Sequence, residues 1–135
     1  MLHLKIITPQ KIALEDDVIA VTAPSTQGEI TILPRHVNLF TQLVEGIIKI
    51  KPEKYLAIGG GYLETDGEEI NILVSRAYGQ NEIDSEQTQK AIEEAKKIVT
   101  SAKDENERKQ AMKLLHRSFI DMKLLKKRKH IQSSV

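Results

Sequence analysis

Along roughly the first eighty residues, apolar positions recur in short runs with a period of two. His3-Leu4-Lys5-Ile6, Ile48-Lys49-Ile50-Lys51 and Ile70-Asn71-Ile72-Leu73-Val74 alternate, or run apolar with β-branched residues, as strands do. Tyr62 to Ile70 predicts a hairpin, with Asp66-Gly67 supplying the positive φ angles of a two-residue turn. Pro9, Pro24, Pro34 and Pro52 fall at strand ends or in loops, and no crossover helix is available before residue 83. This half is therefore expected to be an antiparallel sandwich or barrel.

The period changes at Asp84. Its side chain can cap a helix, with Gln87 reaching back as in a capping box. Ala91, Ala95, Ile98 and Ala102 then recur at intervals of 4, 3 and 4, and neither Gly nor Pro occurs from residue 80 onward. A second capping pattern, Asp104 with Glu107, places a break near Ser101 to Asp104 and predicts two antiparallel helices. On the second helix Ala111, Leu115, Ser118, Met122 and Leu125 make one seam, widened by Met112, Phe119 and Ile120. One stripe is expected to meet the first helix and the other the sandwich or a partner. Such an alanine- and serine-bearing seam buries less than a leucine seam, which predicts a hairpin of modest stability that can open. The fold class is thus α+β: a β-sandwich over 1–82 and a two-helix hairpin over 83–135.

A net charge of only +1 hides a polarised distribution. Residues 1–82 carry 7 basic and 11 acidic side chains, whereas residues 108–135 carry 9 basic side chains and one acid, Asp121. A cationic end of this kind meets something acidic. Clustered Lys and Arg also suit nucleic acid, so a polyanion-binding module is the alternative reading, although no aromatic residue follows Phe119 and the first half is acidic. A steep salt-dependent affinity for RNA would favour it.

Several chemistries are disfavoured. Without cysteine there is no thiolate nucleophile, disulfide or cysteine-ligated zinc. His3, His36, His116 and His130 lack metal-site spacing, so no metal is expected. Gly59-Gly60-Gly61 is followed by Tyr62-Leu63-Glu64 and matches no phosphate loop; it reads as a bend or a close backbone approach. Glu68-Glu69 and Glu93-Glu94 diverge on strand or helix and make no acid/base pair. The opening residues lack the pattern of a signal peptide, and the uncharged run Tyr55 to Leu63 is far short of the ~20 residues that span a bilayer. No catalytic residue, cofactor or direct membrane insertion is expected.

Gly28-Glu29-Ile30-Thr31-Ile32-Leu33-Pro34-Arg35-His36, followed by Ala57-Ile58-Gly59-Gly60-Gly61-Tyr62-Leu63-Glu64 and Ile72-Leu73-Val74, resembles the ATP synthase epsilon family. An opening strand ending in Thr8-Pro9 and the Ile83-Asp84 entry to a hairpin extend the resemblance over nearly the whole chain.

That resemblance implies a sandwich of about ten strands that contacts the gamma subunit and the c-ring, at the cytoplasmic face of the bacterial membrane, as a non-catalytic rotor subunit. It places Glu29, Arg35 and His36 at the c-ring or gamma contact, with Arg35 standing where the family has a small residue. It makes the hairpin a regulatory element whose basic end, Lys123, Lys126, Lys127, Arg128 and Lys129, meets the catalytic beta subunits and resists ATP hydrolysis. Family members that bind ATP carry Ile-Asp-x-x-Arg-Ala at the hairpin start. Gln87 and Thr88 replace the last two here, removing a phosphate-pairing cation, so the isolated chain is not expected to bind nucleotide.

Overall fold

A computed structural model describes residues 1–35 and 38–133, the last six of these by backbone alone. The chain divides into two compact units, Met1–Gly79 and Gln80–Val135.

Ten strands make up the first unit: β1 (Leu2–Ile7), β2 (Ile12–Val18), β3 (Ala20–Ser25), β4 (Gly28–Ile32), β5 (Leu39–Leu43), β6 (Gly46–Lys51), β7 (Lys54–Ile58), β8 (Gly61–Thr65), β9 (Glu69–Val74) and β10 (Ala77–Tyr78). They form one sheet in the order β10-β7-β6-β3-β5-β8-β9-β1-β2, with β4 paired to β3. β3 pairs with β6 at its start and meets β5 at Ser25, so it joins the two layers of a near-barrel sandwich. Alternation decides which side chains go inside. Leu2, Leu4 and Ile6 of β1, Leu63 of β8 and Ile70 and Ile72 of β9 are all completely buried, and with Ile32, Ile48 and Ile58 they form the core. The antiparallel expectation holds with one exception: β1 runs parallel to β9. These two strands are separated by seven others in sequence, so no tight turn constrains their directions.

The hairpin turn differs from its expected geometry. Thr65 pairs with Ile70, residues 66–68 connect β8 to β9, and Gly67 is at positive φ (91°) while Asp66 is not. Asp66 Oδ1 instead accepts from the backbone N–H groups of Glu68 and Glu69 at 2.9 and 2.8 Å, so its side chain closes the turn that a left-handed backbone would otherwise close. Those two donors hold the Asp66 carboxyl below the usual aspartate range.

The glycine run is a close backbone approach. Gly59 N–H donates to Arg76 O at 3.0 Å and Ser75 N–H to Gly60 O at 3.1 Å. A Cβ on Gly61 would lie 1.9 Å from Leu73 O. Beside this crossing Arg76 pairs with Glu45, both partly buried.

In the second unit a 3-10 turn (Gln80–Glu82) leads into α1 (Ser85–Ser101) and α2 (Glu105–Ser133). Asp84 caps α1, its Oδ1 accepting from Gln87 N–H at 3.0 Å. Thr88 Oγ1 donates to Asp84 O at 2.8 Å. The break falls at Ala102, an extended residue, and Asp104 Oδ1 caps α2 by accepting from Asn106 N–H at 3.0 Å. Arg108 Nε reaches Val99 O at 3.3 Å and Lys96 Nζ lies 5.7 Å from the Phe119 ring centroid, so α2 folds back along α1.

The seams shift from those expected. On α1 the buried line is Thr88, Ile92 and Ala95, with Ala91, Ile98 and Ala102 at its margin. Ile92 falls between the two alanines and points the same way as Ala95, and its bulk draws the contact toward it. On α2, Ala111 and Ser118 are buried as expected, while Leu115, Met122 and Leu125 are only partly so. Leu124, absent from the expected seam, is completely buried. It lies roughly 140° around the axis from Ala111, and its carbonyl accepts from Gln80 Nε2 at 2.9 Å. Of the residues expected to widen the seam, Met112 and Phe119 are exposed and Ile120 is partly buried, so the buried position off the seam is Leu124 instead.

Candidate docking surfaces

The outer face of β2-β1-β9-β8-β5 can be written from the strand registers. One row crosses Ile12, Ile7, Leu73, Tyr62 and Gln42; the next crosses Glu15, Lys5, Asn71, Glu64 and Phe40; the third crosses Asp17, His3 and Glu69. The first row is apolar as far as Tyr62 and ends in Gln42, and the third carries two acids around a histidine. Tyr62 and Phe40, diagonal neighbours, stack with centroids 5.5 Å apart. Phe40 is 67% exposed and Tyr62 and Leu73 are half exposed. Contiguous apolar surface of this kind is unusual on an isolated soluble domain and marks an interaction site. Phe40, Glu64, Asp66, Glu69 and Asn71 border an open pocket of about 420 Å³ at its edge.

This face was missed in the sequence. Its signal was there: Phe40 and Tyr62 occupy the outward phase of strands whose inward phase, Leu39, Leu43 and Leu63, is already apolar.

Glu29 is exposed on β4, opposite Pro24. Arg35 is exposed in the segment after β4, at φ 69°, and its N–H donates to Gly67 O at 2.9 Å. The loop is thereby fastened to the β8–β9 turn. A positive φ is costly for arginine and comfortable for glycine or asparagine, so this position is read for its backbone as much as for its charge. Among the described residues no ion pair joins Glu29 to Arg35, and His36 lies outside them.

On α2, Lys123 and Lys126 are exposed and Lys127 partly so; the side chains of Arg128 and Lys129 lie outside the described residues. Gln80, which precedes α1, touches α2 at Leu124, so the helix beyond that level extends past the start of α1. Asp84, Gln87 and Thr88 serve as cap, first-turn donor and buried contact of α1. Among the described residues no helix is long and apolar enough to cross a membrane.

A rigid sandwich with a bare apolar face, carrying a helical hairpin with a cationic end, is a subunit built to hold other proteins. Residues 1–80 match the family described as ATP synthase, Delta/Epsilon chain, beta-sandwich domain. The ATP synthase epsilon chain of Halalkalibacterium halodurans is 34% identical over 108 residues, covering 78% of this chain and 81% of that one. That of Carboxydothermus hydrogenoformans is 38% identical over 99 residues, covering 70% and 73%. A chain of the Euglena gracilis mitochondrial ATP synthase, solved with OSCP, F1 and c-ring, superposes with a TM-score of 0.78 at 26% identity, over 90% of this chain and 79% of that one. The chain belongs to the ATP synthase epsilon family, as a non-catalytic coupling subunit of the central stalk.

Proposed function

We propose that the sandwich seats this subunit on the gamma subunit and the c-ring, peripherally at the cytoplasmic face of a bacterial membrane, and passes ion-driven ring rotation to the catalytic head. The observation that carries the reading is the apolar outer face around Tyr62, Phe40 and Leu73, which a gamma partner would cover. The loop of Glu29, Arg35 and His36 would meet the c-ring, its backbone steadied through Gly67. Functionally the chain divides into a coupling part, 1–82, and a regulatory part, 83–135.

The test is complex formation. Phe40→Asp with Tyr62→Asp is expected to weaken capture of gamma at least about tenfold, because charge is buried where apolar area was. Both side chains are exposed, so the fold is retained. Undiminished capture would refute this use of the face.

The hairpin restrains ATP hydrolysis through its cationic end, which meets acidic surface on the beta subunits. Single exposed ion pairs contribute little, so the cluster acts together. Replacing Lys126, Lys127, Arg128 and Lys129 by Glu is expected to raise hydrolysis by the reconstituted complex severalfold, with the difference shrinking as salt is added. Hydrolysis at the wild-type rate would count against it.

A further inference from the structure

His3 sits between two carboxylates of the neighbouring strand. Its Nδ1 is 2.9 Å from Asp17 Oδ1 and its Nε2 2.9 Å from Glu15 Oε2. An ionised carboxylate only accepts hydrogen bonds, and neutral imidazole carries one N–H, so both contacts are hydrogen bonds only when the ring is the imidazolium. Strand β2, which supplies both acids, lies at the end of the sheet and is paired along its length with β1.

We propose that His3 is a protonation-operated latch: as imidazolium it ties the end strand β2 to β1 through Asp17 and Glu15, and on losing its proton it releases one of the two ties. The charged groups around it are Asp17 and Glu15 from β2, Glu69 from β9, which occupies the opposite register position, and, two residues to either side in sequence, Lys5 of its own strand and the Met1 amine before the strand. Acids outnumber bases around the ring, which favours its charged form. In keeping with this, the hydrogen bonds to Asp17 and then to Glu15 raise the His3 pKa above its ordinary 6.5. The bond from His3, and then the charge of Lys5, lower that of Glu15 below its ordinary 4.5.

The signs give a window. A raised histidine pKa stabilises the paired state fully below 6.5, and this is lost as pH rises through the higher folded value. A lowered glutamate pKa stabilises it above 4.5, and this is lost as pH falls through the lower folded value. The latch is therefore closed in mildly acidic solution, between 4.5 and 6.5, and opens as pH rises through the raised folded value of His3. Val18, at the end of β2, is buried, and Leu14 packs against the core, so release loosens one border of the core as well as an edge.

Amide exchange on the full chain tests the latch. Between about pH 6 and pH 8.5, protection of residues 12–18, corrected for intrinsic rates and referred to β8 and β9, is expected to fall roughly two- to fivefold, the scale of exposed charge pairs. In His3→Gln, which donates without titrating, that fall should vanish. The imidazole titration followed by NMR should have its midpoint above 6.5 and move down in Asp17→Asn. The same pH dependence in His3→Gln, or a wild-type midpoint at or below 6.5, overturns the proposal. Because the wild-type midpoint needs no variant, the test survives even if a substitution fails to fold.

Discussion

Gly61→Ala is expected to destabilise the sandwich by about 3 kcal/mol, the upper range for overpacking a filled site. The new methyl would stand 1.9 Å from Leu73 O and 2.7 Å from Val74 Cα, which are backbone atoms of the paired strand β9 and cannot step aside as a side chain does. Relief would require β8 and β9 to part where they also present Tyr62 and Leu73 to the outer face. The control is its neighbour: a Cβ on Gly60 meets Leu43 O at 3.6 Å, an ordinary contact, so Gly60→Ala should change stability by no more than about 0.5 kcal/mol. Denaturant titration of the two variants side by side checks both values. Equal midpoints would show that the strand crossing is looser than its geometry implies.

The glycine example marks how far the sequence alone could reach. That Gly59-Gly60-Gly61 is no phosphate loop follows from what comes after it, which leaves a bend or a close approach. Which glycine is indispensable does not, because that depends on Leu73 O, a partner brought in by long-range pairing. The same divide runs through the rest. Strands with clean alternation, the two cap residues Asp84 and Asp104 and the break before Asp104 were legible because each is a local signal. The parallel pairing of β1 with β9 was not, since no local feature fixes the direction of strands so far apart. At Asp66-Gly67 the turn was correctly located, but a side-chain cap and a three-residue connection replaced the expected left-handed pair. On α1 a run of alanines outlined a seam, and the one large residue beside it, Ile92, claimed the buried position.

The interaction surface was the least legible part. Phe40, Tyr62 and Leu73 come from three strands and become neighbours only in the assembled sheet. His3 is likewise separated in sequence from Glu15 and Asp17 and is brought beside them by the strand register. The resemblance singled out Glu29, Arg35 and His36, residues of one continuous segment, for the opposite reason: a contiguous motif is what a reader of sequence can see.

Ile92→Ala should have the second large effect, a loss of about 2 to 4 kcal/mol from the helical hairpin. Ile92 is 5% exposed and the largest side chain on the buried face of α1; its neighbours there, Thr88 and Ala95, cannot fill the space it leaves. The two units have separate cores, so the loss should appear as an earlier, helix-specific transition with the sheet transition unmoved. Circular dichroism at 222 nm during thermal unfolding reads the first, and exchange protection in β8 and β9 reads the second. A single transition displaced as a whole would mean that hairpin and sandwich melt as one. In the assembled enzyme, the same substitution is expected to weaken restraint of ATP hydrolysis, because an unfolded hairpin cannot deliver its cations.

Leu124 is level with Gln80, which precedes α1, and from there α2 projects on to Ser133. That projection is nine residues long, roughly 14 Å, less than the ~12 to 15 residues an isolated helix needs in water, so it depends on the turns before it for its order. Four of its first five residues, Lys126, Lys127, Arg128 and Lys129, are cationic, which crowds like charges along it while the helix dipole favours cations at this end. The tip therefore draws its order from the turns before it and from whatever it meets: an acidic neighbour would offset the crowding of like charges and steady the last turns, so the working reach of the helix depends on the ionic surroundings it enters.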